Sequence, residues 1–430
     1  MESLTVGAAK RVEGEIRMPG DKSITHRAIL FGGLAKGSTR IRGYLPSEDC
    51  ICTLRAVEAM GVRTMLENGV LSIQGEGVHA LKEPEEILQM GNSGTSLRLF
   101  TGLLSALPFF SVLDGDSSLR KRPMGRVIEP LTRMGAEIRG RKNNSHAPIA
   151  ISGRSDLRSI RYRLPVPSAQ VKSALLLAGI HAEGTTRIEE PLPTRDHSER
   201  MLRAFGAVME TEPGRISVSR SELKGIEIDV PGDFSSAAFF IAAALLVPGS
   251  LLRIRDVGVN PTRTGMLGVL EEMGAEITIE NPRSWGGEPV ADLIVESVSG
   301  LRGIDVGEAR IPSLVDELPV LFVLASFAEG TSRFTGAREL RVKESDRIAV
   351  MTRELRKLGV EVEELADGVV IRGGNRFRGA RFSSDGDHRV AMSFAIAALA
   401  ADGESRIDGT ECIRTSFPGF EKLLKSVCRS

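Results

Sequence analysis

The residues that could do chemistry sit where apolar runs begin. Near the start, Pro19-Gly20-Asp21-Lys22-Ser23-Ile24-Thr25-His26-Arg27 leads into Ala28-Ile29-Leu30-Phe31. A Gly-polar turn that opens an apolar helix presents unpaired first-turn N–H groups and the positive end of the helix dipole. Asp21 or Ser23 can accept from those N–H groups, and Lys22 and Arg27 add two cations. Ser23 and Arg27, four apart, can face one ligand. Together these groups suit an anion. A capped surface helix with solvated charges would read similarly, and this stretch alone leaves both readings open.

Further stretches carry the same signature. In Asn92-Ser93-Gly94-Thr95, Gly94 lets a ligand approach the backbone and its neighbours can form an anion nest; a plain N-cap is the alternative. Leu119-Arg120-Lys121-Arg122-Pro123-Met124 places three cations before a Pro expected to start a helix. They could hold a phosphate or carboxylate, although Arg120 and Lys121 fit a solvated basic turn better. Ser168-Ala169-Gln170-Val171-Lys172 offers hydroxyl, amide and ammonium groups, which suit a polyhydroxy substrate with an anionic group. In Arg195-Asp196-His197-Ser198-Glu199, Asp196 and Glu199 resemble a capping box. Asp316 lies in the apolar Leu314-Val315-Asp316-Glu317-Leu318-Pro319-Val320-Leu321, where a partly desolvated carboxylate is a general-base candidate; a helix cap is the bland reading, and Glu317 could share either job. Lys343 and Arg347, four apart, are expected on one helical face with Glu344 beside them, as in a catalytic cluster or an exposed salt-bridge ladder. Asp387-His388-Arg389 opens the last apolar run.

The elements that would position these groups recur six times. Each copy has a short polar opening, an apolar helical run, usually a Gly, and a short strand often ending in Arg-Ile, as in Ser38-Thr39-Arg40-Ile41 and Gly403-Glu404-Ser405-Arg406-Ile407. A second marker, a helix end followed by Gly and a strand, recurs at Gly61, Gly135, Gly206, Gly274 and Gly359. Gly there fits the left-handed residue that closes a helix. Two markers sharing one long period imply a repeated unit of two helices and several strands. Six units divide into three and three, with a crossover at Pro231-Gly232-Asp233 and a second link near Gly20. Residues 1–19 read as a lead-in strand belonging with the later half. Residues 281–290, with Pro282, Trp285, Gly286 and Gly287, read as a loop insertion.

Composition narrows the function. The 430 residues are 41% hydrophobic and 26% charged, as expected of a water-soluble chain of two domains. Lys+Arg 56 balances Asp+Glu 56 and aromatics are 4%, which disfavours nucleic acid. The longest apolar run, 237–247, is too short to span a bilayer. Cys50, Cys52, Cys412 and Cys428 have no zinc spacing and fit reduced thiols in the cytoplasm. No phosphate-binding lysine loop, dinucleotide fingerprint or metal set is present. The residues therefore point to cofactor-free, metal-free transfer between two anionic small molecules held by converging helix tips.

With those motifs in view, the chain resembles the EPSP synthase family over essentially its whole length. The resemblance rests on Gly20-Asp21-Lys22-Ser23, Gly91-Asn92-Ser93-Gly94-Thr95, Arg122-Pro123, Ser168-Ala169-Gln170, residues 340–347 and Asp387-His388-Arg389. Gly20-Asp21-Lys22-Ser23, Ser168-Ala169-Gln170-Val171-Lys172, Arg195-Asp196-His197-Ser198-Glu199 and Asn260-Pro261-Thr262-Arg263 resemble its class II branch, often tolerant of glyphosate. The resemblance implies an α/β (α+β) fold of two similar domains, 1–19 plus 232–430 and 20–231. Each would hold three βαβαββ repeats about a pseudo-threefold axis, an inside-out α/β barrel, with the active site in a cleft that closes on substrate. It implies a monomer that moves the enolpyruvyl group of phosphoenolpyruvate to the 5-hydroxyl of shikimate 3-phosphate, in aromatic amino acid biosynthesis. Lys22, Ser23, Arg27, Ser168, Ala169, Gln170, Asp316 and Lys343 would bind shikimate 3-phosphate. Lys22, Gly94, Arg122, Gln170, Arg347 and Arg389 would bind phosphoenolpyruvate. Asp316 would be the base, with Glu344 or Lys22 as proton donor to the methylene. The sister enzyme acting on UDP-N-acetylglucosamine uses a loop Cys near 120–124, where this chain has none. Two departures stand out: Thr415, beside Arg414, replaces the Lys of class I members, and Gly94 replaces the Ala of some tolerant class II enzymes.

Overall fold

The structure, a computed structural model, describes residues 2–374 and 376–429. The chain divides into two compact units. Unit one comprises Met1–Pro19, Pro231–Arg283 and Pro289–Ser430, and unit two comprises Gly20–Val230 and Ser284–Glu288. Each unit is built from three copies of a motif with two helices and a small sheet. In unit two the helices are α1 (Lys22–Leu34), α2 (Glu48–Ala59), α3 (Gly94–Ser105), α4 (Gly125–Arg133), α5 (Ala169–Gly179) and α6 (His197–Ala204). In unit one they are α7 (Phe234–Leu246), α8 (Gly265–Glu272), α9 (Leu318–Phe327), α10 (Arg347–Lys357), α11 (His388–Leu399) and α12 (Phe420–Val427).

The odd-numbered helices are the inner ones. Every residue from Phe234 to Leu245 of α7 and every residue of α11 is buried, and α3 is buried at all but one position. A helix with no polar face cannot lie on a surface, so it takes the centre. In unit one, α7, α9 and α11 pack on one another in pairs; in unit two, α3 packs on α1 and α5. The even-numbered helices bury one stripe: α12, for example, buries Phe420, Leu424 and Val427.

The sheets repeat as well. In the first copy, Lys36–Arg42 pairs antiparallel with Val70–Glu76, which pairs antiparallel with Arg63–Glu67. The fourth strand of that sheet, Glu227–Asp229, comes from the far end of the unit and pairs parallel with Lys36–Arg42. In unit one, Arg11–Arg17 pairs parallel with Leu251–Gly258, with Ile16 opposite Ile254. The strand before α1 thus belongs to unit one and the strand before α7 to unit two, so the chain changes unit at residues 19–20 and 230–231, and the short segment 284–288 adds two further crossings. The closing glycines Gly61, Gly135, Gly206, Gly274 and Gly359 all have φ between 81° and 104°, as the helix-end marker predicts.

Three local expectations are corrected. The lead-in is two strands, Ser3–Gly7 and Arg11–Arg17, and the first pairs antiparallel with Glu404–Asp408. Residues 281–290 form a hairpin, not a loop: Ile277–Trp285 and Glu288–Glu296 are joined by Gly286 and Gly287, at φ 58° and 89°. Two successive positive-φ residues are what a two-residue hairpin turn requires, and Pro282 is tolerated because its strand lies at the sheet edge. Pro123 does not begin a helix; residues 119–121 form a single 3-10 turn and α4 starts at Gly125. Among the described residues, no helix is long and apolar enough to cross a membrane.

A strand end crosses the last carbonyls of an inner helix at equivalent places in three copies. A Cβ on Gly153 would lie 1.9 Å from Leu107 O and 2.1 Å from Leu104 O; on Gly75 it would lie 2.2 Å from Ala35 O, and on Gly373 2.0 Å from Ala328 O. Backbone cannot yield as a side chain does. Gly153→Ala is expected to lower unfolding free energy by at least about 1–3 kcal/mol in urea titration. Gly300→Ala, where a Cβ meets nothing within 4 Å, should stay within about 0.5 kcal/mol of wild type.

Candidate active site

In unit two the tips of α1, α3 and α5 carry the expected groups. Asp21 caps α1 by accepting from Ile24 N at 2.9 Å, Ser93 caps α3 by accepting from Ser96 N at 3.1 Å, and Ser168 caps α5 by accepting from Val171 N at 3.4 Å. Capping spends one side-chain oxygen per tip and leaves other first-turn N–H groups for a ligand. Lys22 Nζ pairs with Asp49 Oδ2 at 3.0 Å, on the first turn of α2. Gln170 bridges the tips of α5 and α3: its Oε1 accepts from Arg98 Nη1 at 2.6 Å and its Nε2 donates to Thr95 Oγ1 at 2.9 Å. Arg98 also donates to Pro123 O at 3.2 Å, beside Arg122, which itself bonds Asn92 Oδ1. A Cβ on Gly94 would lie 2.7 Å from Arg98 Nη1 and 3.2 Å from Arg122 Nη1, so a side chain here would push those two guanidinium groups aside.

Arg27 is buried, and donates to Ser23 O at 2.9 Å, Ser173 Oγ at 2.8 Å and Ser198 Oγ at 2.7 Å. Burial pulls its pKa down to about 10, partly offset by Glu199. The Arg195-Asp196-His197-Ser198-Glu199 stretch is not a capping box. Asp196 makes no side-chain cap to α6 and pairs with Arg200 at 2.9 Å, while Glu199 reaches Lys172 Nζ at 2.6 Å. Lys172 is fully buried and also holds Glu190 at 2.9 Å, so its ammonium serves the interior instead of a substrate. Burial pushes the Glu199 carboxyl above its ordinary value, against the pull of Lys172. His197 Nδ1 lies 2.8 Å from Glu288 Oε1.

In unit one the tips of α9, α10 and α11 gather around one carboxylate. Asp316 Oδ1 is 3.7 Å from Lys343 Nζ and 3.6 Å from Arg347 Nη1, and Asp316 Oδ2 is 3.8 Å from Arg389 Nη2. Arg389 Nη1 also donates to Asp316 O at 3.0 Å. Arg347 is held from the other side by Asp387 at 2.8 Å and Glu344 at 2.6 Å. Burial would lower the Arg347 pKa, but Asp387 and Glu344 keep it above its usual value. Lys343 lies in the loop before α10, so the two cations converge without sharing a helical face.

The openings of α7 and α11 behave as read: Asp233 accepts from Ser236 N at 3.0 Å and Asp387 from Arg389 N at 2.9 Å. That of α9 differs. Glu317 gives no cap bond and turns inward to accept from Ser235 Oγ. Burial pushes its carboxyl up; Arg263 opposes this and the Asp316 charge adds to it. Arg98, the lone charge inside α3, was missed by motif reading although its position four after Gly94 was a usable signal. Arg414 pairs with Glu2, and Thr415 Oγ1 donates to Cys412 O at 2.7 Å.

The EPSP synthase (3-phosphoshikimate 1-carboxyvinyltransferase) family model matches residues 6–424. The chain belongs to the EPSP synthase family. It is 54% identical over 428 residues to a 3-phosphoshikimate 1-carboxyvinyltransferase of Geobacter sulfurreducens, covering 99% of each chain. The relative of the same name in Geotalea uraniireducens is 54% identical over 427 residues, again 99% of each. A solved structure of EPSP synthase from Acinetobacter baumannii superposes with a TM-score of 0.87 at 46% identity, covering 100% of this chain and 98% of that one. The Acinetobacter baumannii enzyme thus shares the α/β fold of this chain.

Removing the Lys172 ammonium strands two buried carboxylates. Lys172→Met is expected to cost about 3–5 kcal/mol, read from denaturant midpoints. His26 gives a pH dependence. Burial, with the charges of Lys22 and Arg27, holds its pKa well below the ordinary 6.5. The unfolded imidazole takes its proton near 6.5, so below that pH the unfolded state binds more protons. Stability from this group is complete above about pH 6.5 and falls on acidification by at most about 1.4 kcal/mol per pH unit. Stability curves of His26→Asn should be correspondingly flatter between pH 6.5 and 5.

Proposed function

We propose that this chain transfers the carboxyvinyl group of phosphoenolpyruvate to the 5-hydroxyl of shikimate 3-phosphate, releasing phosphate, in the route to aromatic amino acids. The full-length match to relatives named for that reaction carries the reading. Lys22, Ser23, Arg27, Ser168, Ala169 and Gln170, with Asp316 and Lys343, hold shikimate 3-phosphate. Lys22, Gly94, Arg122, Gln170, Arg347 and Arg389 hold phosphoenolpyruvate. Free N–H groups and fixed cations stabilise anionic charge without reorganising during the reaction.

Chemically, the methylene carbon of phosphoenolpyruvate takes a proton from Glu344 or Lys22, and C2 becomes electrophilic. The 5-hydroxyl oxygen bonds to C2 as Asp316 takes its proton. The tetrahedral ketal then breaks its C2–O bond to phosphate, which leaves with the electron pair, and the group that protonated the methylene takes a methyl proton back, restoring the double bond as an enol ether. Asp316 is supported as the base by its carboxylate, which is only 13% exposed and faces three cations that can balance its charge before the transfer. The chain works as a monomer in the cytoplasm; its four cysteines are free thiols, in keeping with a reducing compartment.

Phosphate release tests the reading. Wild type should release phosphate from phosphoenolpyruvate with shikimate 3-phosphate and not with UDP-N-acetylglucosamine; the reverse preference would overturn the assignment. Asp316→Ala should lower kcat by about 10²–10⁴-fold, the span of a general base.

A further inference from the structure

The N-terminal halves of α1, α2 and α3 are joined by an internal chain of four polar side chains that the proposed chemistry does not use. His26 Nδ1 lies 2.7 Å from Thr53 Oγ1, Thr53 Oγ1 lies 2.6 Å from Ser96 Oγ, and Ser96 Oγ lies 2.7 Å from Ser93 Oγ. All four residues are at most 2% exposed. Ser93 is the N-cap of α3, immediately before Gly94.

The direction of this chain follows from where a proton cannot be. His26 Nε2 is buried with no hydrogen-bond partner. An N–H there would be an unsatisfied buried donor, at a cost of about 1–3 kcal/mol. The imidazole proton therefore sits on Nδ1 and is donated to Thr53 Oγ1. Thr53 then donates to Ser96, and Ser96 donates to Ser93. Ser93 Oγ ends the chain by accepting from both Ser96 Oγ and Ser96 N. Each hydroxyl between the ends accepts one bond and donates one, in the direction set by donation from Ser96 Oγ to Ser93 Oγ.

We propose that the chain His26–Thr53–Ser96–Ser93 positions the N-terminus of α3, and with it Gly94 and Arg98, to receive phosphoenolpyruvate. This inference rests on the substrate assignment above. The close approach at Gly94 makes position critical: Arg98 Nη1 and Arg122 Nη1 come within 2.7 Å and 3.2 Å of where a Cβ would be. A shift of the α3 tip carries Gly94 and Arg98 together and changes their spacing to Arg122, whose Nη1 lies 3.2 Å from where a Cβ on Gly94 would be. The charges acting on His26 are Lys22 and Arg27 of its own helix, while α2 and α3 present it with the hydroxyls of Thr53 and Ser96. His26 is thus a positioning residue that touches no substrate.

The test is steady-state kinetics on wild type, His26→Leu, Thr53→Val, the double variant and His26→Asn, all shown to be folded at the assay temperature by thermal melting. Leu and Val cut the chain with little change of volume; Asn restores a donor near Nδ1. His26→Leu and Thr53→Val should each raise KM for phosphoenolpyruvate about tenfold, the worth of one buried hydrogen bond, leaving KM for shikimate 3-phosphate within about twofold. The double variant should be no worse than either single variant, and His26→Asn should return to within about twofold of wild type. Unchanged KM for phosphoenolpyruvate, equal rises for both substrates, or additive effects in the double variant would each overturn the inference. Wild-type turnover checks the substrate assignment separately: an inactive wild type defeats that assignment, whereas an active wild type with indifferent variants defeats this inference alone.

Discussion

A helix buried around its whole circumference can offer polar groups only at its ends. The inner helices of both units meet this condition, and the rest of the structure follows from it. Their flanks are committed to aliphatic packing, so chemistry is confined to the tips. There the unpaired N–H groups need partners, and the chain supplies an oxygen at five of the six: Asp21, Ser93, Ser168, Asp233 and Asp387. What those caps leave unsatisfied is the positive potential that an anionic substrate would meet.

Burying so many charged groups near the tips requires each to be balanced. In unit two, Lys172 lies between Glu190 and Glu199, and Arg27 is carried by two serine hydroxyls and a carbonyl. In unit one, Arg347 lies between Asp387, Glu344 and Asp316. These pairs place guanidinium and ammonium groups in fixed positions instead of adding much net stability, since desolvation offsets a large part of the attraction. Fixed cations are the useful product, because they need not reorganise when charge moves in a reaction.

The copies share a plan but differ in what their tips carry. Gly75, Gly153 and Gly373 hold the same steric role in three copies, and the five closing glycines hold another. The α9 tip breaks the pattern: Glu317 abandons capping to bond Ser235, and Asp316 beside it collects three cations. A repeat gives up its regular cap where the proposed chemistry needs a carboxylate.

Much of this was legible in the residues themselves. Six apolar runs with polar openings and five evenly spaced glycines dictate repeated helices with left-handed ends, because period and glycine conformation are local properties of the chain. Motif types likewise mark Lys22, Gly94, Arg122, Asp316, Arg347 and Arg389. Tertiary structure alone decided which charges serve the interior. Lys172 reads as a ligand group and proves to be locked between two carboxylates; Asp196 and Glu199 read as a capping box and go to Arg200 and Lys172. Lys343 and Arg347 meet at Asp316 from a loop and a helix. Each of these outcomes depends on partners distant in sequence, whose distance and burial set the electrostatic energy, and spacing along the chain carries no measure of either.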